Sequence, residues 1–373
     1  MNFFAIVSEF NPFHTGHRYL IEQTRGKTGA DAIVCVMSGS MVQRGDVAVY
    51  DKWTRARAAV ENGADLVIEL PVCYVLQSAD IFAKGAVELI NSMGASGIAF
   101  GSECTDTDLL WKLARLRSDE DPQYIATLKD ALSLGMGYPA ACEKAAHSAL
   151  GNLPEEITMP NSTLGVSYMA SILKTNPDIK VHVEKRIGDY HDTSTDGKFA
   201  SATAIRRQIL SGDKTCPYSL CTNGDIYDIN NLSAYILGFF RTCDENSLRD
   251  ISGMEEGLPQ RLKKQSMTST SLEQFVSGCV SKRYTEHRIR RVILCSVLGI
   301  KDAPSPSYAR VLALNSVGAR ILKGIKDKVE VVTKITNSTM SEMLKKDILS
   351  TDIAAICASK KAGMDYTTSP IVI

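Results

Sequence analysis

The chain has 373 residues, 44% of them apolar, and its 42 Lys and Arg balance 42 Asp and Glu. That length suggests two or three domains of roughly 150 residues each, and the zero net charge excludes a nucleic-acid surface spread over the whole molecule. No apolar run reaches the ~20 residues that span a bilayer, and the first residues lack the basic segment and small-residue cleavage site of a secretory signal, so a cytoplasmic location is expected. Several of the ten cysteines (Cys35, Cys73, Cys279, Cys295) sit in apolar segments and none forms a C-x-x-C pair, which points to reduced core thiols and not to metal ligands.

The first element is an apolar run, residues 3–7, that breaks at Ser8-Glu9-Phe10-Asn11-Pro12-Phe13 and delivers His14-Thr15-Gly16-His17. An H-x-G-H after a first strand and before an amphipathic run (Tyr19-Leu20-Ile21) stands where an open α/β sheet binds ligands and where a helix N-terminus attracts phosphate. Gly16 permits close backbone approach, and the flanking imidazoles are donors for phosphate oxygens. Further apolar runs at 31–37, 66–70 and 96–100, each bounded by turn residues and separated by helical segments, predict a doubly wound parallel sheet. Its strand ends place His14, Ser38, Glu69 and Gly101 around one pocket. Residues 105–150 read as an insertion or lid, and Pro160-Asn161-Ser162 as a helix start at which Asn161 either caps the helix or contacts a ligand. After a strand over 179–184 and a polar loop, Ser201, Thr203 and Arg206 open another helix, and their hydroxyls, backbone amides and guanidinium form a phosphate cradle.

From about residue 230 the texture becomes helical, over 232–240, 257–264, 271–282 and 285–298. Between Arg261 and Arg291 stand eight Lys or Arg against Glu273 and Glu286, so Lys282, Arg283, Arg288, Arg290 and Arg291 are candidates for contact with a nucleic-acid backbone. Strand and helix alternation resumes after Pro304, where Tyr308, Arg310 and Asn315 are open to RNA contact or to packing and turn roles. The expected division is an α/β domain over 1–229 and a mainly helical region over 230–373.

His14-Thr15-Gly16-His17 resembles the signature of the nucleotidyltransferase superfamily, and Ser201, Thr203 and Arg206 match its second motif. Together with Met37-Ser38-Gly39-Ser40-Met41-Val42-Gln43-Arg44-Gly45-Asp46, Asp65-Leu66-Val67-Ile68-Glu69-Leu70-Pro71 and Phe100-Gly101-Ser102-Glu103, these segments are similar to the bacterial tRNA(Met) cytidine acetate ligase family over nearly the whole chain. The resemblance implies a Rossmann-like, HUP-type α/β fold and an enzyme that activates acetate with ATP and acetylates N4 of the wobble cytidine of elongator tRNA(Met). It implies a catalytic, ATP-binding role for the domain over 1–229 and a tRNA-binding role for the region over 230–373, with His14, His17 and Arg206 as catalytic groups. It carries ATP contacts onto Val7, Ser8, Glu9, Phe10, Asn11, Pro12, Phe13, His14, Thr15, Gly16, His17, Arg18, Tyr19 and Leu20, and onto Gly101, Asn161, Arg186, Ile187, Ser201 and Thr203. Lys185 is an alternative to Arg186. Mg²⁺ is expected with the ATP phosphates and no protein metal ligand is assigned. No protein partner or membrane contact is inferred. A small-molecule adenylyl- or cytidylyltransferase would share both phosphate motifs but leave the basic C-terminal region unexplained; a class I aminoacyl-tRNA synthetase would need a lysine-rich second signature that Lys264-Gln265-Ser266-Met267-Thr268 imitates poorly; and retained His14, His17 and Arg206 speak against a non-catalytic RNA-binding protein on the same fold.

Overall fold

The computed structural model describes residues 1–118, 121–186, 201–213, 216–221, 224–336 and 339–373. In chain order the strands are β1 (Phe3–Ser8), β2 (Ala32–Ser38), the hairpin pair β3 (Met41–Val42) and β4 (Asp46–Val47), β5 (Leu66–Leu70), β6 (Gly97–Ser102), β7 (Lys180–Lys185), β8 (Tyr308–Leu314), β9 (Glu330–Val332) and β10 (Ile371–Val372). The main sheet runs β10-β8-β5-β2-β1-β6-β7, with β9 also paired to β8. The five neighbours β5-β2-β1-β6-β7 are parallel, as continuous apolar runs require when both sheet faces are covered. In β2, Val34 and Val36 join one apolar layer while Ile33, Cys35 and Met37 join the other. All ten cysteines are free thiols, nine of them buried.

The chain leaves β1 toward β2 on one side and later returns to β6 on the other, so the strand order reverses between β1 and β6. The expected lid is the helices Thr107–Ser118, Pro122–Ser133 and Tyr138–Leu150, the first of which packs on the helix Pro160–Thr175.

The sheet crosses the boundary expected between residues 229 and 230. β8 pairs antiparallel with β5, and β9 and β10 pair with β8, so the last part of the chain completes the main sheet. Only the intervening helices Ser233–Thr242, Leu258–Thr268, Leu272–Cys279 and Glu286–Leu298 form a separate helical cluster, and its apolar residues continue into the core on one face of the sheet.

The β5–β8 seam corrects the expectation for Glu69. Its carboxylate lies 2.8 Å from Lys52 Nζ and 3.2 Å from Arg310 Nε, while Asp365 Oδ1 lies 2.8 Å from Lys52 and 2.7 Å from Arg310 Nη2. All four side chains are buried, so Glu69 joins a closed charge network and does not line the pocket. A Cβ at Gly39 would strike the Glu69 carboxylate, which explains glycine there. Ser38 is fully buried. Tyr308 bonds the Asp347 carboxyl, and Asn315 caps the helix Ser316–Ile325, so with Arg310 all three take packing and turn roles and not RNA contact.

Candidate active site

The reversal of strand order flanks a crevice with the carboxyl ends of β1 and β6. Past β1, His14 has extended backbone and caps the helix Thr15–Thr28. Its Nδ1 accepts from the Gly16 amide at 3.1 Å, and the amide of His14 donates to His17 Nδ1 at 3.2 Å. This is a capping box in which two imidazoles replace the usual hydroxyl and carboxylate. The rings stack with centroids 3.7 Å apart, and Phe10 and Phe13 pack against His17 at 4.9 and 5.6 Å.

Burial, then Arg186 and Arg206, push the pKa of His14 down to about 3. Burial, then His14, hold His17 well below the ordinary histidine range. Both rings are therefore neutral at neutral pH, and because each Nδ1 accepts, each proton resides on Nε2. The capping box thus leaves two N–H donors in one fixed tautomer.

The second motif meets the first in space. Ser201 caps the helix Ala202–Leu210 by accepting from the Ala204 amide at 3.1 Å. Arg206 donates from Nη2 to Thr203 Oγ1 at 3.1 Å and from Nη1 to the Asn11 carbonyl at 2.7 Å. That bond spans 195 residues and fixes the guanidinium beside the His14 segment.

A third group gathers at the end of β6. Glu103 accepts from Asn161 Nδ2 at 2.6 Å, from the Ser162 amide at 2.9 Å and from Ser162 Oγ at 3.1 Å, and lies 3.6 Å from Arg186 Nε. Asn161 therefore does not cap its helix; Glu103 serves that N-terminus and orients the amide. Lys185 Nζ donates to the Glu103 carbonyl at 2.5 Å, so both candidate cations converge on one residue. A Cβ at Gly101 would stand 3.2 Å from Arg186 Cγ: the glycine makes room for the arginine stem. Ile187 lies outside the described residues.

Not every residue of 7–20 faces a ligand. The side chains of Phe10, Asn11 and Phe13 are buried, Asn11 Oδ1 accepting from the Val49 amide at 2.8 Å. Arg18 pairs with Glu22 at 3.7 Å, Tyr19 donates to Glu184 at 3.3 Å, and Leu20 packs on the apolar layer. By contrast, Ser8 Oγ, Thr15 Oγ1 and Arg186 Nε are buried with no hydrogen-bond partner among the described residues. Glu103 and Arg55 are the supporting residues that sequence reasoning did not single out. Arg55 is fully buried and donates to the Glu9 carbonyl at 2.6 Å and the Ser38 carbonyl at 3.1 Å, tying the ends of β1 and β2. The signal for Glu103 was a charge at a strand end, and for Arg55 a charge on the buried face of the helix Lys52–Glu61.

The basic candidates are more neutralised than their count suggests. Arg283 and Arg288 both pair with Glu255, the former at 2.7 Å, and Arg290 pairs with Glu286 at 2.8 Å. Arg291 donates to the Gln43 carbonyl at 3.3 Å, and Lys282 is exposed. Arg290 and Arg291 thus lie on the helix face toward the β3–β4 turn.

A family model described as HIGH Nucleotidyl Transferase matches residues 1–368. The chain is 34% identical to the tRNA(Met) cytidine acetate ligase of Clostridium perfringens over the full length of both, and 36% identical to that of Caldicellulosiruptor saccharolyticus over 94% of this chain and 92% of the relative. Crystal structures of Thermotoga maritima TmcAL, apo and bound with alpha-thio ATP, superpose with TM-scores of 0.91 and 0.90 at 29% identity, covering all of both chains.

Proposed function

The chain belongs to the HIGH nucleotidyl transferase family and, within it, to the tRNA(Met) cytidine acetate ligases, and from that premise we propose that it activates acetate with ATP and acetylates N4 of the wobble cytidine of elongator tRNA(Met). The observation that carries this reading is the surplus of donors in the crevice. Neutral His14 and His17, the buried Ser8 and Thr15 hydroxyls without hydrogen-bond partners among the described residues, and the guanidinium groups of Arg186 and Arg206 gather donors in one place, which is the complement of a triphosphate.

Two substitutions follow. A carboxylate cannot acylate an amine directly, because oxide would have to leave. In the first step an acetate oxygen forms a bond to the α-phosphorus as the bond to pyrophosphate breaks, giving acetyl-adenylate. The Nε2–H groups of His14 and His17 meet the phosphate oxygens, and the Arg206 guanidinium balances the charge that gathers on the leaving pyrophosphate. Glu103 holds Asn161 and Arg186 at the nucleoside side. In the second step cytidine N4 attacks the acyl carbon, the bond to AMP breaks, and N4 gives up a proton. The N4 lone pair is delocalised into the ring, so positioning must supply much of the rate. Neither step needs a covalent enzyme intermediate.

Lys282, Arg283, Arg288, Arg290 and Arg291 serve the tRNA backbone in this reading, with Lys282 and Arg283 outermost. Mg²⁺ accompanies the triphosphate in this reading and is assigned no protein ligand. No helix of the described residues is long and apolar enough to cross a membrane, and a tRNA substrate fits a cytoplasmic site of action. The test is incubation with ATP, Mg²⁺ and labelled acetate, with and without tRNA(Met). Acetyl-AMP is expected in both and N4-acetylcytidine only with tRNA; finding neither overturns the reading.

A further inference from the structure

The turn Gln43-Arg44-Gly45 joins β3 to β4 and belongs to neither phosphate motif. It is nevertheless fixed from both sides. Toward the nucleotide segment, the Gln43 amide donates to Glu9 Oε1 at 2.6 Å. Toward the basic helix Glu286–Leu298, the Gln43 carbonyl accepts from Arg291 Nη1 at 3.3 Å. One residue thus bonds to both regions through its two peptide groups. Next to it, Gly45 has φ +77, and a Cβ there would stand 2.5 Å from the Arg291 amide nitrogen and 2.6 Å from Arg290 Cβ. The turn backbone therefore lies directly on the helix backbone, between the two arginines that project from it.

Neighbouring contacts reinforce the joint. Gln43 Nε2 donates to the Gln77 carbonyl at 3.0 Å, and Cys295 of the helix donates its Sγ–H to the Leu76 carbonyl at 3.5 Å, so residues 76–77 touch both the turn and the helix. The Arg44 guanidinium stands close enough to Arg206 and His287 to lower the pKa of each. Backbone-to-backbone packing has no soft side chain to absorb a displacement, so the helix and the Glu9 segment share one register.

We propose that the Gln43–Arg44–Gly45 turn is the joint that sets RNA bound on the helix Glu286–Leu298 in register with the acetyl-adenylate, with Gln43 and Gly45 as positioning residues for acetyl transfer. This rests on the tRNA-acetylating reading above and deepens it: the RNA helix positions the base against the acyl carbon through this turn as well as holding the tRNA.

The test separates three quantities in Gly45→Ala: acetyl-AMP formation, tRNA(Met) affinity, and single-turnover transfer from preformed acetyl-AMP to tRNA. Formation and affinity are expected within threefold of wild type, whereas transfer falls by about 100-fold, as misplacement near 1 Å does for an oriented reaction. Unchanged transfer, or a parallel fall of all three, overturns the proposal. Should the variant not fold, hydrogen exchange on the wild-type enzyme decides: tRNA(Met) alone slows exchange of the Gln43 amide by about tenfold, and an unchanged rate overturns the joint. A wild-type enzyme that makes no acetylcytidine would instead refute the proposed function.

Discussion

Two regions of this molecule bury charge, and they do so in opposite ways. At the β5–β8 seam Lys52, Arg310, Glu69 and Asp365 satisfy one another, each carboxylate facing both cations. At the β1–β6 reversal His14, His17, Arg186 and Arg206 crowd together; burial lowers the pKa of all four, and the neighbouring cations add to this for the two histidines. The seam pairs its two carboxylates with its two cations, although Arg310 Nε, Arg310 Nη1 and Asp365 Oδ2 keep no hydrogen-bond partner among the described residues; the crevice gathers cations and neutral donors around one carboxylate, Glu103, 3.6 Å from Arg186. Buried charge alone does not mark a site, and the sign of what remains unpaired does.

The contrast breaks first under Lys52→Met. Removing the cation shared by Glu69 and Asp365 leaves buried charge undercompensated, and a loss of about 3–5 kcal/mol in chemical denaturation is expected. Acetyl-AMP formation per folded molecule should not change; if it falls with stability intact, the seam belongs to the active site after all. His17→Ala reverses the pattern. Losing one oriented donor should lower acetyl-AMP formation by about 10²–10³-fold while stability drops by about 1 kcal/mol, the worth of a helix cap.

Glu103→Gln sharpens the crevice side. The variant keeps the shape but weakens the charge-assisted bonds to Asn161 and Arg186, and roughly a tenfold rise in KM for ATP is expected with little change in kcat. The two regions should also respond oppositely to pH. His14 falls from 6.5 to about 3, so the unfolded chain binds the extra proton, and stability that is complete above pH 6.5 is lost as pH falls toward 3. Asp347, beside the seam, is pushed up from 3.8 to about 8 by burial and by Glu69, so stability present near pH 4 is lost as pH rises through 8. Denaturation midpoints from pH 5 to 8 should lose the second slope in Asp347→Asn and keep the first; a variant that keeps both slopes refutes the assignment. The smallest effect is Lys282→Ala, for which binding to tRNA should weaken a few-fold and the salt dependence should flatten by about one ion.

Much of the crevice was legible in the sequence because its chemistry sits in short local patterns. His14-Thr15-Gly16-His17 behind an apolar strand fixes a helix N-terminus with two imidazoles whatever packs around it, and Ser201-Ala202-Thr203-Ala204-Ile205-Arg206 does the same for a second helix. Glu69 misled because a carboxylate at a strand end reads alike whether it faces a ligand or a strand arriving from residue 310. The return of β8 to the sheet was illegible for a related reason: its residues read as a strand, but nothing local says which edge it joins. The basic run was legible as charge, not as availability, since the pairing of Arg283 and Arg288 depends on Glu255 about 30 residues away.

The sequence by itself determined the two capped helix N-termini, the succession of parallel strands and the donor groups, because periodicity, capping and residue chemistry act over a few positions. Only the tertiary structure decided which charges were left for a ligand, that both histidines are neutral with the proton on Nε2, and that Gln43 and Gly45 stand between the basic helix and Glu9. Those properties depend on burial and on contacts between segments hundreds of residues apart, where desolvation and partner geometry set the energy of each group.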